Sequence, residues 1–120
     1  MKRNDPAPPP ILLQWEGLVQ DLFERTSGFP VRLRHTLSER ILRLALDGLE
    51  CVVEAQDASL RFSAVRQMSV ILDKIRLLLR VSNRLGPLDH KAYEVLSEQV
   101  DELGRMVGGW MAAQTHRGAR

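Results

Sequence analysis

Residues 60–87, LRFSAVRQMSVILDKIRLLLRVSNRLGP, decide the fold. Val65, Met68, Leu72, Ile75, Leu78 and Leu79 recur at intervals set by one helix face from Leu60 to Arg84, and Gly86-Pro87 then ends the helix. Upstream, Asp57-Ala58-Ser59 reads as a turn, preceded by a second helix that opens at Pro30 and runs through Leu33, Leu37, Ile41, Leu44, Leu49 and Val52 to about Gln56. Ser27-Gly28-Phe29-Pro30 separates it from a first helix, Ile11 to Arg25, with Ile11, Trp15, Leu18, Val19, Leu22 and Phe23 at helical spacing. Downstream, Asp89 caps a fourth helix that turns Ala92, Leu96, Val100, Leu103, Val107 and Trp110 inward and Lys91, Glu94, Glu98, Asp101, Glu102 and Arg105 outward. No period-2 strand and no internal repeat interrupts the series. Short turns between long helices predict an all-α fold, an antiparallel up-down-up-down four-helix bundle over residues 11–114. An extended proline-rich leader, 1–10, is expected before it and a flexible basic tail, 115–120, after it.

The 120 residues suffice for one domain with a modest core, and 44% hydrophobic residues exclude a disordered chain. One cysteine, Cys51, excludes an intrachain disulfide and a cysteine-based zinc site. The apolar runs are cut by charge too soon to span a bilayer, and MKRNDPAPPP lacks the apolar segment of a signal peptide. The expectation is a soluble cytoplasmic protein with no membrane partner.

Net charge is only +2, yet 14 of the 17 basic residues are Arg, the better bidentate phosphate ligand and equally the product of a GC-rich gene. Folding the helices antiparallel gathers residues 21–43 and 73–94 at one end, with ten basic and six acidic residues, a balance of +4. The candidate nucleic-acid site there is Arg32, Arg34, Arg40 and Arg43 of the second helix beside Lys74, Arg76, Arg80 and Arg84 of the third. Arg32 and Arg34 near a helix N-terminus, and Glu50 and Glu54 toward its C-terminus, oppose the helix dipole, so local stability did not arrange them. RNA or DNA is the natural partner; the alternative is pairing of these arginines with Glu39, Asp73, Glu94 or a neighbouring subunit. With one Tyr and three Phe, readout by base stacking is not expected, and binding should follow backbone shape and charge.

On the second helix Arg40, Arg43, Asp47, Glu50 and Glu54 form a narrow charged stripe, while Leu42, Leu46 and Val53 fall outside the core face. Leu77-Leu78-Leu79 wraps the third helix in the same way, more apolar surface than one small bundle can bury. A homo-oligomer is expected.

Chemistry is not. The Glu-x-x-His pairs of a di-iron bundle are missing, since Arg32, Pro87 and Ala113 stand three residues before His35, His90 and His116. No phosphate-binding Gly-rich loop and no Gly-x-Ser-x-Gly elbow occurs. Cys51, in an apolar stretch without a fixed His partner, reads as a buried structural thiol, and Glu98, Asp101 and Glu102 as solvation. A non-enzyme is expected, with no catalytic residues, metal, cofactor or small-molecule substrate.

The heptapeptide GRMVGGW, 104–110, sets glycines inside an amphipathic helix at a cost of about 1 kcal/mol each relative to Ala. Gly104, Gly108 and Gly109 offer a smooth patch for a neighbouring backbone or the ring of Trp15, with Trp110 as an anchor, a helix-packing or oligomer site. With Tyr93, the stretch Leu96 to Leu103, Phe29-Pro30, Arg34, Thr36-Leu37, Arg40-Ile41 and Ile75 to Arg80, this heptapeptide carries a resemblance over about residues 11–112. The chain resembles the small four-helix-bundle family that includes the accessory variability determinant (Avd) proteins of diversity-generating retroelements and a branch encoded in intervening sequences of large-subunit ribosomal RNA genes. The resemblance implies a barrel-shaped homopentamer with a basic surface that binds a reverse transcriptase and nucleic acid and catalyses nothing. It would help the polymerase copy template RNA into the mutated cDNA that diversifies a target gene. Val31 stands where the family often has Lys after Phe-Pro, and the proline-rich leader has no counterpart. Both branches share the motifs, so a structural homo-oligomeric adaptor with an unassigned protein partner is the alternative.

Overall fold

The computed structural model describes residues 9–118, with side chains as far as residue 114. It contains α1, Pro10–Thr26; α2, residues 31–54, made of three consecutive helical stretches; α3, Arg61–Leu85; and α4, His90–Gly118. There is no strand among the described residues. Each helix packs on the next and α4 packs back on α1, which closes a four-helix bundle. Pro10, expected in the leader, is the first residue of α1, where its missing N–H costs no helical bond. The rest of the leader, residues 1–8, lies outside the described residues. α4 continues to Gly118, into the span expected as a tail, and residues 119–120 lie outside the described residues.

Cross-helix hydrogen bonds fix an antiparallel register. Trp15 Nε1 donates to Ala45 O at 2.8 Å and Ser38 Oγ to Thr26 O at 3.5 Å, which ties the end of α1 to the start of α2. Cys51 Sγ donates to Gln67 Oε1 at 3.3 Å, Arg76 Nε to Asp101 Oδ1 at 3.1 Å, and Gln99 Nε2 to Asp21 Oδ2. The core between them is apolar, with Leu18, Leu22, Ile41, Met68, Leu72, Ile75, Leu79, Leu96 and Leu103 almost wholly buried. Each such side chain contributes roughly 1.5–3 kcal/mol when removed from water.

The start of α2 departs from a plain α-helix. Residues 34–38 form a π-helical turn in which the Glu39 N–H donates to Arg34 O, five residues back. Leu33, Leu37, Ile41 and Ala45 are all buried, and they are spaced by four. In an α-helix that spacing drifts about 40° per step. The wider π turn offsets the drift and keeps all four on the core side.

The turns are built from local side chains. Asp57 Oδ1 accepts the Ser59 N–H at 2.9 Å and its hydroxyl at 2.8 Å, and these bonds hold the Asp57 carboxyl below its ordinary range. Arg61 donates to the carbonyls of Ala55 and Gln56 at 2.7 and 3.1 Å, satisfying the end of α2. Gly86 takes φ 105°, a left-handed cap, and Leu88 buries itself just beyond it. Asp89 caps α4 as expected, its Oδ1 accepting the Ala92 N–H at 2.8 Å.

Candidate nucleic-acid interface

Of the eight expected cations, the antiparallel register places Arg80 and Arg84 of α3 level with the π turn of α2 and Lys74 nearer the middle of the bundle, where it lines both grooves of the α2/α3 seam. They do not form one cluster. Core residues Leu72, Ile75 and Leu79 divide α3 into two flanks, one facing α2 and the other facing α4.

On the α2 flank, Arg40, Arg43 and Lys74 line an open groove of about 670 Å³ together with His35, Glu39, Asp47 and Leu78. Glu39 sits one turn from both His35 and Arg43. The His35 Nδ1–H donates to Glu39 Oε2 at 3.0 Å, and Arg43 Nη2 lies 3.4 Å from Glu39 Oε1. The His35 hydrogen bond holds the Glu39 carboxyl below its ordinary range, assisted by the charges of His35 and Arg43. His35 and Glu39 were not in the expected site; the four-residue spacings 35, 39 and 43 were the available signal.

The α4 flank holds Arg76, and the expectation for it is corrected. Its Nη1 donates to Asp73 Oδ1 at 2.7 Å and its Nε to Asp101 Oδ1 at 3.1 Å. The guanidinium lies over Gly104, where a Cβ would collide with it. Arg76 is a clamp between α3 and α4, and Asp101, read from sequence as solvation, is its anchor. Arg80 and Arg84 follow at four-residue steps, drift outward from that flank and are exposed. Arg34 also has a structural task, its Nε donating to Phe29 O at 3.2 Å across the turn before α2. Among the described residues Arg32, Arg40, Lys74, Arg80 and Arg84 are exposed and make no ion pair.

The expected packing of Trp15 on the α4 glycines is overturned. Trp15 instead fills a notch at Gly48, where a Cβ would fall inside the indole ring. Gly104 accommodates Arg76, while Gly108 and Gly109 face open space and Trp110 is half-buried against the core. Gly48 was missed because a single glycine in a helix of otherwise ordinary pattern does not announce what approaches it.

Farther along the α2/α3 seam a second open groove, about 760 Å³, carries the opposite sign: Asp47, Glu50 and Glu54 stand over Cys51, Phe62 and Ile71, with Arg66 and Lys74 across from them. Burial, followed by the charges of Glu54, Asp47 and Glu50, pushes the Cys51 thiol up from its ordinary value, which disfavours the reactive thiolate. No three of His, Cys, Asp and Glu converge closely enough to hold a metal ion among the described residues. His35 and His90 are exposed and pair with Glu39 and Glu94 one turn away.

A family model described as bAvd-like matches residues 11–114, nearly the whole bundle. The chain belongs to the bAvd-like family. No curated protein matches it. For this bAvd-like chain, the motif residues of the sequence thus acquire positions: Phe29 is buried, Arg34 bridges the turn that Phe29-Pro30 opens, Leu37 and Ile41 are core, and Gly104 receives the Arg76 clamp. These shared residues mostly build the fold. Of the shared residues, Arg40 and Arg80 are exposed and make no ion pair among the described residues. No helix among the described residues is long and apolar enough to cross a membrane.

Proposed function

We propose that this chain is a non-catalytic accessory protein that binds nucleic acid and a reverse transcriptase, working as a homo-oligomer in the mutagenic copying of template RNA into cDNA. The observation that carries the reading is the set of exposed cations that make no ion pair among the described residues of a bAvd-like bundle: Arg32, Arg40, Lys74, Arg80 and Arg84. An arginine held away from carboxylates keeps its full hydrogen-bonding fork for phosphate. Aromatic side chains are few: Phe29 is in the core and Phe62 lies under Arg66, which leaves Phe23 as the exposed phenylalanine near the basic end, so contact runs mainly to the backbone of the nucleic acid. Exposed Leu77, Val70, Leu46 and Val53 support association of copies, and the pentameric barrel is the arrangement that the family resemblance favours.

The test is fluorescence anisotropy of a labelled structured RNA across a salt series. With Z phosphate contacts the logarithm of affinity falls with the logarithm of salt at a slope of about −0.7Z to −0.9Z. Arg80→Glu with Arg84→Glu should flatten that slope, whereas Arg76→Ala should leave it nearly unchanged. Equal slopes in the native and Arg80/Arg84 proteins would falsify this interface. Co-purification with a reverse transcriptase encoded beside the gene tests the second partner, and light scattering the number of copies. A second reading, an oligomeric adaptor for another protein, draws on Arg76 and Arg43, whose charges are already paired with Asp73, Asp101 and Glu39. It expects no saturable RNA binding even at low salt.

A further inference from the structure

The seam between α1 and α2 is apolar on its outside. On α1, Leu12, Glu16, Val19 and Phe23 follow one another at steps of four, three and four, and on α2 Leu42, Leu46, Leu49 and Val53 do the same. Asp21 turns toward α4, where it accepts a hydrogen bond from Gln99, so the Leu12 stripe, on the other side of the α1 core residues, turns toward α2. Cys51 likewise turns toward Gln67 of α3, which sends the Leu42 stripe toward α1. With Trp15 level with Ala45, Val19 falls beside Leu42 and Leu12 beside Leu49. These four are partly buried, while Phe23, Leu46 and Val53 stand 41–61% exposed along the same seam.

A stripe of the same rhythm lies elsewhere on the molecule. Arg66, Val70, Asp73 and Leu77 run along the outer ridge of α3, where Val70 is 52% exposed and Leu77 57%. The four helices already close on one another, so neither the seam nor the ridge has a further helix of its own chain to cover it. The two differ in shape: the seam is the concave line between two helices, and the ridge is the convex face of one. A ridge fits a seam of the same period, whereas two seams face to face leave a gap between them and leave Val70 and Leu77 in water. Neither stripe of the seam holds a basic residue, which argues against nucleic acid as its occupant.

We propose that the α1/α2 seam, around Leu46, receives the α3 ridge, around Val70 and Leu77, of a second copy of this chain. The inference rests on the homo-oligomer reading above and deepens it by naming the two surfaces. Because the surfaces differ, the contact is head-to-tail: each copy offers its ridge to one neighbour and its seam to another, and the series closes as a ring, odd-numbered rings included. A pentameric barrel is compatible with it. None of the cations assigned to nucleic acid is among the stripe residues.

The experiment is light scattering of the full chain without nucleic acid, across a concentration series. A seam variant carries Leu46→Glu and Val53→Glu, a ridge variant Val70→Glu and Leu77→Glu, with helicity checked by circular dichroism. The native protein should assemble, and each variant alone should have the mass of one chain. An equimolar mixture should reach the mass of two chains and stop there, because one intact seam and one intact ridge remain in each pair. A native protein of single-chain mass would overturn the homo-oligomer reading itself, and the proposal with it. A native assembly whose variants keep its mass, a mixture that stays at the mass of one chain, or a ridge variant that pairs with itself would each overturn the proposal alone. Should a double variant lose helicity, the single changes Leu46→Glu and Leu77→Glu replace them, with the same masses expected and the same outcomes contrary.

Discussion

The two sides of α2 are made by different means. Its inner side carries Ile41, Ala45, Gly48 and Val52, small or compact residues against which Trp15 seats its ring and donates a hydrogen bond to Ala45 O. Its outer side carries Arg43, Leu46, Glu50 and Val53, all exposed. Shape decides the first, because a cavity of fixed outline admits no extra carbon. Solvation decides the second, because an exposed face tolerates many side chains. The same helix thus holds the fold on one side and offers a surface on the other.

That contrast predicts a graded series of effects. Trp15→Ala should be the most damaging single change, costing about 3–5 kcal/mol by leaving a void at the centre of the α1/α2 contact. Gly48→Ala comes next, at about 1–3 kcal/mol, since the new methyl must displace the indole. Urea or thermal unfolding measures both. Arg76→Ala should cost about 1 kcal/mol or less, because both of its partners are exposed carboxylates, and should loosen α4 against α3 in amide exchange.

On the outer side, Leu46→Ser should shift the stability of the isolated chain by less than about 0.5 kcal/mol, measured in dilute solution where copies are apart. A loss comparable to that of Gly48→Ala would abolish the distinction between the two faces. Smallest of all is a pH effect at Glu39. Its carboxyl is held below the ordinary value by His35, so the stabilisation is present above about pH 4.5 and is lost as the pH falls through the lowered folded-state value. Glu39→Gln should remove that part of the acid-side slope, lowering stability slightly at neutral pH and leaving it almost unchanged once the pH is below the folded-state value.

Most of the fold was legible because its signals are local. The three-and-four spacing of Val65 to Leu79, Gly86-Pro87 and the Asp89 cap each act within a turn or two of themselves, and, apart from the end of α4, the helices begin and end within about two residues of where the sequence signals stand. The π turn was not legible, although Leu33, Leu37, Ile41 and Ala45 at uniform four-residue spacing hint at it. It exists to reconcile that spacing with a core that only the other helices define.

The candidate site was half legible. Antiparallel order is enough to bring Arg32, Arg40, Arg80 and Arg84 to one end, with Lys74 nearer the middle of the bundle. Which flank of α3 each residue occupies depends on where α2 and α4 lie around it, and this is why Arg76 became a clamp while Arg80, one turn away, stayed exposed. The glycine motif shows the same division. Composition flagged Gly104, Gly108 and Gly109 as places of close approach, yet the indole went to Gly48 and a guanidinium to Gly104.

By itself, then, the amino-acid sequence determined the four helices, their antiparallel order, the polarity of the bundle and the family, since each follows from periodicity, capping or a contiguous motif. The tertiary structure alone decided that Arg76 bridges two helices, where Trp15 is seated and which face of α2 is exposed. Those depend on contacts between residues 25 or more positions apart, such as Arg76 with Asp101 and Trp15 with Ala45, whose geometry no local pattern encodes.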